Sequence, residues 1–156
     1  YYHEGQYEAA LKQLTNAVRI HRNQTEYLLL MGECRLKLES YKEAIQSFSD
    51  VVRIKPRSMA GWEALIRCLY KAGYYDEAVE QVKVAIEISN GKPLMLFYNS
   101  AILFAMGKNK AALIQLERAM DKAPRLLKKF VELNPSILQN QQVVDLIARF
   151  KRNKSI

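Results

Sequence analysis

A short phrase of this chain recurs at a fixed interval, and the interval holds along most of its length. The stretch SYKEAIQS at residues 40–47 is nearly restated as YYDEAVEQ at residues 74–81, with no insertion or deletion between them. Alanine recurs at the same interval, which we call the repeat period: Ala10, Ala44, Ala78 and Ala112. A constant period of about 20–50 residues indicates stacked structural repeats, and this restricts the fold more than any other property of the chain.

Each unit contains two segments whose apolar residues recur at helical spacing. In residues 25–58 one segment runs over about 25–38 and the other over 41–54. Apolar residues three and four positions apart predict helices. Ser40 is the predicted N-cap of the second helix, and Glu43 would complete a capping box with it. The unit is therefore predicted to be two antiparallel helices joined by a short turn.

The turn between the two helices carries its own signal. Gly73 and Gly107 lie where the first helix of a pair must end, and Glu39 occupies the matching place in residues 25–58. Glycine suits the left-handed backbone that commonly ends a helix, because it has no Cβ to clash. We expect the same turn at Glu39, at some cost in backbone strain.

The pattern resembles the tetratricopeptide repeat family, whose unit is a helix–turn–helix of about 34 residues. The best match lies in residues 59–92, through Trp62, Leu65, Leu69, Gly73, Tyr75, Ala78 and Ala85. The resemblance implies an all-α fold, a right-handed α-solenoid of antiparallel helix pairs. It divides the chain into a partial repeat with a second helix only, three complete repeats and a C-terminal capping segment: 1–24, 25–58, 59–92, 93–126 and 127–156.

Residues 127–156 depart from the repeat. Pro135 ends a stretch that begins like another first helix, because proline cannot continue a helix interior. A final helix is predicted at residues 140–153, with Val143, Ile147 and Phe150 on one stripe. Stacked repeats leave an apolar face at each end, and a terminal element normally covers it. We expect this tail to be that cap.

The chain opens part-way through a repeat, so we expect a piece of a longer protein. Tyr7, Leu11, Leu14 and Val18 would normally be covered by the first helix of that repeat. An uncovered apolar face tends to associate with another surface. The sequence therefore predicts self-association through the open N-terminal end.

Residue types that support catalysis or metal binding are sparse. Cys34 and Cys68 lie one repeat period apart at equivalent places in two first helices, which favours buried side chains over a disulfide. No His or Cys lies at ligand spacing to either. His3 and His21 have no accompanying nucleophile or carboxylate constellation. We predict no enzyme activity, small-molecule substrate, cofactor or metal.

The expected setting is the cytoplasm, because unpaired cysteines are typical of reducing compartments. The longest nearly uncharged stretch, residues 93–107, is too short to span a bilayer. No interaction with a membrane is therefore predicted.

Positive charge is concentrated towards the C-terminus. The net charge is +8, and residues 93–156 carry +7 of it, with eleven basic and four acidic side chains. Such a balance favours an acidic partner or nucleic acid, or it reflects a solvated outer face and a charged tail. The lysines are scattered and not interleaved with aromatic residues, which disfavours single-stranded nucleic acid. Nucleic-acid or acidic-surface binding through this basic half is the alternative function.

In the resembling family, the first helices line a concave groove that binds peptide segments of partner proteins. The resemblance therefore implies a protein–protein interaction scaffold that binds a partner peptide or helix, of unidentified origin. The implied groove residues, taken position by position, are Glu33, Lys37, Glu63, Arg67, Tyr70, Lys71, Phe97 and Phe104, with Leu29, Leu36, Leu94 and Ala101 in the wider set.

One half of this implied groove is polar and the other apolar. The apolar half, with Phe97 and Phe104, needs a cover. A partner's amphipathic helix would serve, as would the chain's own final helix. The short tether after Leu133 favours the final helix, through its predicted stripe.

Overall fold

A computed structural model describes residues 2–20 and 25–154 of the chain. The regular structure of these residues is entirely helical, with nine α-helices and two short 3₁₀ helices, Pro124–Leu126 and Pro135–Gln139. The α-helices are α1 Tyr2–Ile20, α2 Thr25–Lys37, α3 Tyr41–Ile54, α4 Met59–Ala72, α5 Tyr75–Ser89, α6 Pro93–Ala105, α7 Asn109–Lys122, α8 Leu127–Leu133 and α9 Gln141–Lys154. Among the described helices, none has both the length and the apolar composition of a membrane-spanning helix.

The chain divides into two compact units, Tyr1–Glu77 and Ala78–Ile156. In the first unit α1 packs on α2, α2 on α3 and α3 on α4. In the second unit α6 packs on α7, α8 lies against α6, and α9 lies against α7. Within each unit, consecutive helices form antiparallel pairs. The predicted all-α class and its helix pairs are confirmed.

The ends of the three first helices α2, α4 and α6 repeat the same hydrogen bonds, one repeat period apart. An amide donates to the carbonyl five residues earlier, as Ser40 to Arg35, Tyr74 to Leu69 and Lys108 to Leu103, at 2.8, 3.0 and 2.9 Å. The residue before each donor has a positive φ: 59° at Glu39, 83° at Gly73 and 78° at Gly107. These are the bonds of a Schellman turn. The predicted left-handed turn is confirmed, at Glu39 as well as at the glycines.

The predicted capping box at Ser40 is wrong. The Ser40 side chain accepts no capping hydrogen bond. A capping box would also need the Ser40 amide for the Glu43 carboxylate, and that amide already donates to the Arg35 carbonyl. A side-chain cap occurs instead at Ser58, whose Oγ accepts from the Gly61 amide at 3.1 Å.

Small residues stand where the helices of a pair meet. Ala44 and Ala112 are completely buried. Gly32 on α2 faces Phe48 on α3 so closely that an added Cβ would overlap with the ring. In the second unit the Ser100 hydroxyl on α6 donates to the Ala112 carbonyl on α7 at 2.8 Å. The helix axes are therefore close enough for backbone and side chain to meet directly.

At the N-terminal end, Leu11 and Leu14 of α1 pack against a buried cluster of Leu28, Met31 and Val51. Both leucines and Tyr7 are half-buried. The side chains of Val18 and His3, and the whole of His21, lie outside what the structure describes. Self-association through this end stays a prediction.

The buried stripe of α9 differs from the predicted one. Val143 and Leu146 are buried, whereas Ile147 and Phe150 are only half-buried. The helix lies against α7 and the 3₁₀ helix Pro135–Gln139. Leu146 was missing from the predicted stripe because Val143, Leu146, Ile147 and Phe150 all satisfy a three- or four-residue spacing, and only packing selects among them.

Equivalent turns provide a matched test of backbone strain. Glu39→Gly removes a Cβ from a left-handed residue, and we expect the free energy of unfolding to rise by about 0.5–1 kcal/mol. Gly73→Ala adds that strain and should lower it by about 1 kcal/mol, although nothing lies within 4 Å of the new Cβ. Urea denaturation followed by circular dichroism measures both. Effects of the same sign would contradict this account.

The packing of α9 is tested by truncating two of its residues. Leu146→Ala should lower the free energy of unfolding by about 2–5 kcal/mol, because a fully buried leucine leaves a cavity. Phe150→Ala should cost about 1–2 kcal/mol, because the ring is half in solvent already. The urea midpoints of the two variants measure which loss is larger. A larger loss at Phe150 would show that this ring, and not Leu146, anchors the helix.

Candidate protein-binding groove

Charged side chains of α2 and α4 meet in the first unit. Arg67 Nη2 donates to Glu33 Oε1 at 2.9 Å, and Arg67 Nη1 lies 3.9 Å from Glu63 Oε1. Glu33 and Arg67 are one repeat period apart, so equivalent positions of neighbouring first helices face each other. The side chains are 40% and 29% exposed, respectively. Such a pair adds only about 0–1 kcal/mol to stability, and it remains within reach of a partner.

The other predicted polar residues lie on the same two helices. Lys37 and Lys71 are exposed near the ends of α2 and α4. Tyr70 is half-buried, and its ring centroid lies 5.7 Å from that of Tyr75 at 58°. We call Glu33, Lys37, Glu63, Arg67, Tyr70 and Lys71 the polar face.

One exposed apolar residue of this surface was missed. Leu30 is 53% exposed. It precedes Glu33 and Lys37 by three and seven residues, which places all three on one side of α2. The predicted groove residue was Leu29, which packs partly against the buried cluster of the first unit. Leu29 precedes Glu33 by four residues, so helical spacing fits Leu29 as well, and only packing separates the two leucines.

The apolar half of the predicted groove is not a free surface. Phe97 is completely buried, and Phe104 is half-buried. The Phe130 ring of α8 lies 5.9 Å from Phe97 and 6.4 Å from Phe104, centroid to centroid. Leu94 and Ala101 are also buried. Phe97 is therefore a core residue, which corrects its assignment to a partner-binding surface.

The cover over these phenylalanines comes from α8, and the prediction that the final helix supplies it is wrong. The described packing of α9 is against α7 and the 3₁₀ helix Pro135–Gln139. Phe130 follows Leu96 by one repeat period, so α8 occupies the place of the next first helix. Although Pro135 cuts that helix short, the ring at Phe130 comes early enough to reach α6.

The two cysteines are free thiols. Cys68 is buried and Cys34 is half-buried. Burial raises the pKa of Cys68 to about 11, and the Glu33 carboxylate adds to the rise. The same two causes, burial first, raise the pKa of Cys34. A thiol held in its neutral form is a weak nucleophile, so both residues serve packing.

We expect Cys68 to resist alkylation. With a pKa near 11, roughly one thiol in a thousand is ionised at pH 8, and the side chain is also buried. Iodoacetamide should modify Cys34 first, and Cys68 only as urea unfolds the chain. Mass spectrometry of tryptic peptides over time measures both. Modification of Cys68 in native protein at the rate of a free thiol would contradict the assigned burial.

This helix arrangement is similar to that of several known proteins. Residues 1–51 match a family model described as anaphase-promoting complex, cyclosome, subunit 3. The TPR repeat-containing protein MJ1428 of Methanocaldococcus jannaschii is 30% identical over 90 residues, which are 58% of this chain. The crystal structure of MamA superposes with a TM-score of 0.72 at 15% identity, covering 97% of this chain and 90% of that one. The chain has the helix-pair fold of tetratricopeptide-repeat proteins.

A tetratricopeptide-repeat protein is generally a protein–protein interaction module. The similarity to anaphase-promoting complex subunit 7 of Homo sapiens extends over 149 residues at 24% identity, which is 94% of this chain. The chain spans 26% of the length of that human relative and 15% of the archaeal one. At 15% identity the likeness to MamA concerns the fold alone.

Proposed function

We propose that this tetratricopeptide-repeat protein is a non-enzymatic module that binds a segment of a partner protein on the polar face of α2 and α4. The observation that carries the proposal is the partly exposed Glu33–Arg67 pair. Because the pair adds little to stability, Glu33 and Arg67 can separate and bind groups of a partner at a small cost in free energy.

The chemistry of this surface suits a peptide or helix of mixed character. Arginine and tyrosine are enriched among the few residues that dominate binding energy at protein interfaces, and Arg67 and Tyr70 lie one turn apart on α4. Leu30 adds an exposed apolar contact on α2. Lys37 and Lys71 offer cations at the helix ends. A partner segment with an apolar residue and flanking carboxylates would complement this set.

The relatives suggest the class of partner. One family model and two curated relatives, from Homo sapiens and Mus musculus, carry names of subunits of the anaphase-promoting complex. We infer that the partner is another subunit of a multi-protein assembly. Because the chain spans about a quarter of the human relative, this inference concerns the segment and its role as a scaffold.

A double substitution tests the polar face. Arg67→Glu with Tyr70→Ala places a third carboxylate beside Glu33 and Glu63 and removes the aromatic contact. We expect capture of the native partner to be lost while helix content, measured by circular dichroism, stays the same. Affinity pull-down from the source cells with quantitative mass spectrometry is the measurement.

A charge swap separates binding from folding. Glu33→Arg with Arg67→Glu restores an ion pair of reversed direction, so a merely structural role would be rescued. We expect the free energy of unfolding to return to that of the unmodified chain, and capture of the partner to remain lost. If the double variant at Arg67 and Tyr70 captures the partner unchanged, the site lies elsewhere, and the exposed basic surface of Lys108, Lys110 and Arg118 is the next candidate. A steep fall of oligonucleotide affinity with salt would then support the nucleic-acid alternative.

A further inference from the structure

A cleft in the second unit lies outside the polar face. It has a volume of about 230 Å³ and lies between α9 and the segment that joins α7 to α8. Its lining includes the apolar residues Met120, Leu127, Ile147 and Phe150 and the cations Arg125 and Lys151. We call it the basic cleft.

The floor of the basic cleft is apolar and partly open. Met120 is 3% exposed, whereas Leu127, Ile147 and Phe150 are half-buried. Phe150, which the sequence predicted to be a buried residue of α9, thus contributes its ring to the wall of the cleft. The volume of about 230 Å³ is below the roughly 300–1,000 Å³ of small-molecule pockets. This size favours the entry of one large side chain over an enclosed ligand.

The charged side chains that line the basic cleft have one sign. Among the described residues that line the cleft, both charged side chains are cations, and both are exposed. Residues 78–156 contain thirteen basic and six acidic side chains, a net charge of +7. Charges within about 8 Å act most strongly at physiological salt, so the lining cations act directly on a group bound in the cleft. Its complement is a segment that is acidic on either side of an apolar residue.

We propose that the basic cleft binds a short acidic segment of a partner protein. One aromatic or large aliphatic side chain enters the cleft, and flanking Asp or Glu residues pair with Arg125 and Lys151. The apolar floor distinguishes this partner from nucleic acid, whose phosphates gain nothing from it and whose bases need exposed aromatic platforms. The surface uses no residue of the polar face, so the proposal stands apart from the proposed function.

Synthetic peptides test the anchor. The probes are fluorescein-labelled decapeptides of Asp and Glu with a central Phe, Trp, Leu or Met, beside the same peptide with a central Ser. Fluorescence anisotropy with the 156-residue chain gives the affinities. We expect at least one anchored peptide to bind about tenfold more tightly than the Ser peptide, because burying such a side chain is favourable.

Matched charge reversals test the location. Arg125→Glu with Lys151→Glu should weaken the anchored peptide about tenfold or more. Lys108→Glu with Lys110→Glu makes the same change of net charge in the same unit, outside the cleft lining, and should weaken it less than about threefold. Phe150→Ala should reduce the preference for the anchored peptide over the Ser peptide. Circular dichroism and urea midpoints confirm that each variant is folded.

Several outcomes would overturn the proposal. Equal binding of anchored and Ser peptides would mean that no side chain enters the cleft. Equal losses from the two charge reversals would mean diffuse attraction by the basic unit. Displacement of the peptide by a single-stranded oligothymidine that binds more tightly would assign the surface to nucleic acid. Sedimentation velocity showing that the free chain dimerises, with Phe150→Ala restoring the monomer, would assign it to a second copy of the chain.

Discussion

The close approach of the two helices in a pair is the constraint on which the rest of the structure depends. Gly32 leaves room for the Phe48 ring, and Ser100 reaches the Ala112 carbonyl across the second unit's pair. Larger residues at Gly32 would overlap with the facing helix. Because interiors are packed to the density of organic crystals, such overlap forces the helices apart. Small residues at these sites therefore set the distance at which every neighbouring side chain meets its partner.

Because the helices pack at this distance, residues that are one repeat period apart in the sequence come into contact. Glu33 and Arg67 are one repeat period apart in the sequence, and their charged groups are 2.9 Å apart from nitrogen to oxygen, because α2 and α4 hold equivalent positions in successive repeats. The pair is too exposed to matter greatly for stability. Its value is chemical, since it holds two opposite charges where a partner can reach both of them. The function proposed for the polar face thus follows from how the pairs stack in the first unit.

The second unit uses the same repeat geometry for a different purpose. Helix α8 takes the place of a first helix, and its Phe130 ring covers Phe97 and lies against the half-buried Phe104. Helix α9 then lies on α7 and leaves Phe150 half in solvent beside Arg125. Helix α8 thus covers apolar surface of α6, whereas the packing of α9 leaves the basic cleft partly open. The proposed recognition of an acidic segment depends on this incomplete burial.

The sequence by itself determined the helix pairs, their period and the left-handed turns, including the one at Glu39. These features depend on local hydrogen bonds and on residues a few positions apart, which a periodic pattern records directly. Through the repeat register, the sequence also assigned Glu33 and Arg67 to equivalent positions of two first helices. Only the tertiary structure decided that Leu30 is exposed, that Phe97 is core and that Leu146 anchors α9 in preference to Phe150. Burial depends on which side chain lies across the interface, and several residues of one helical stripe satisfy the same spacing until that neighbour is in place.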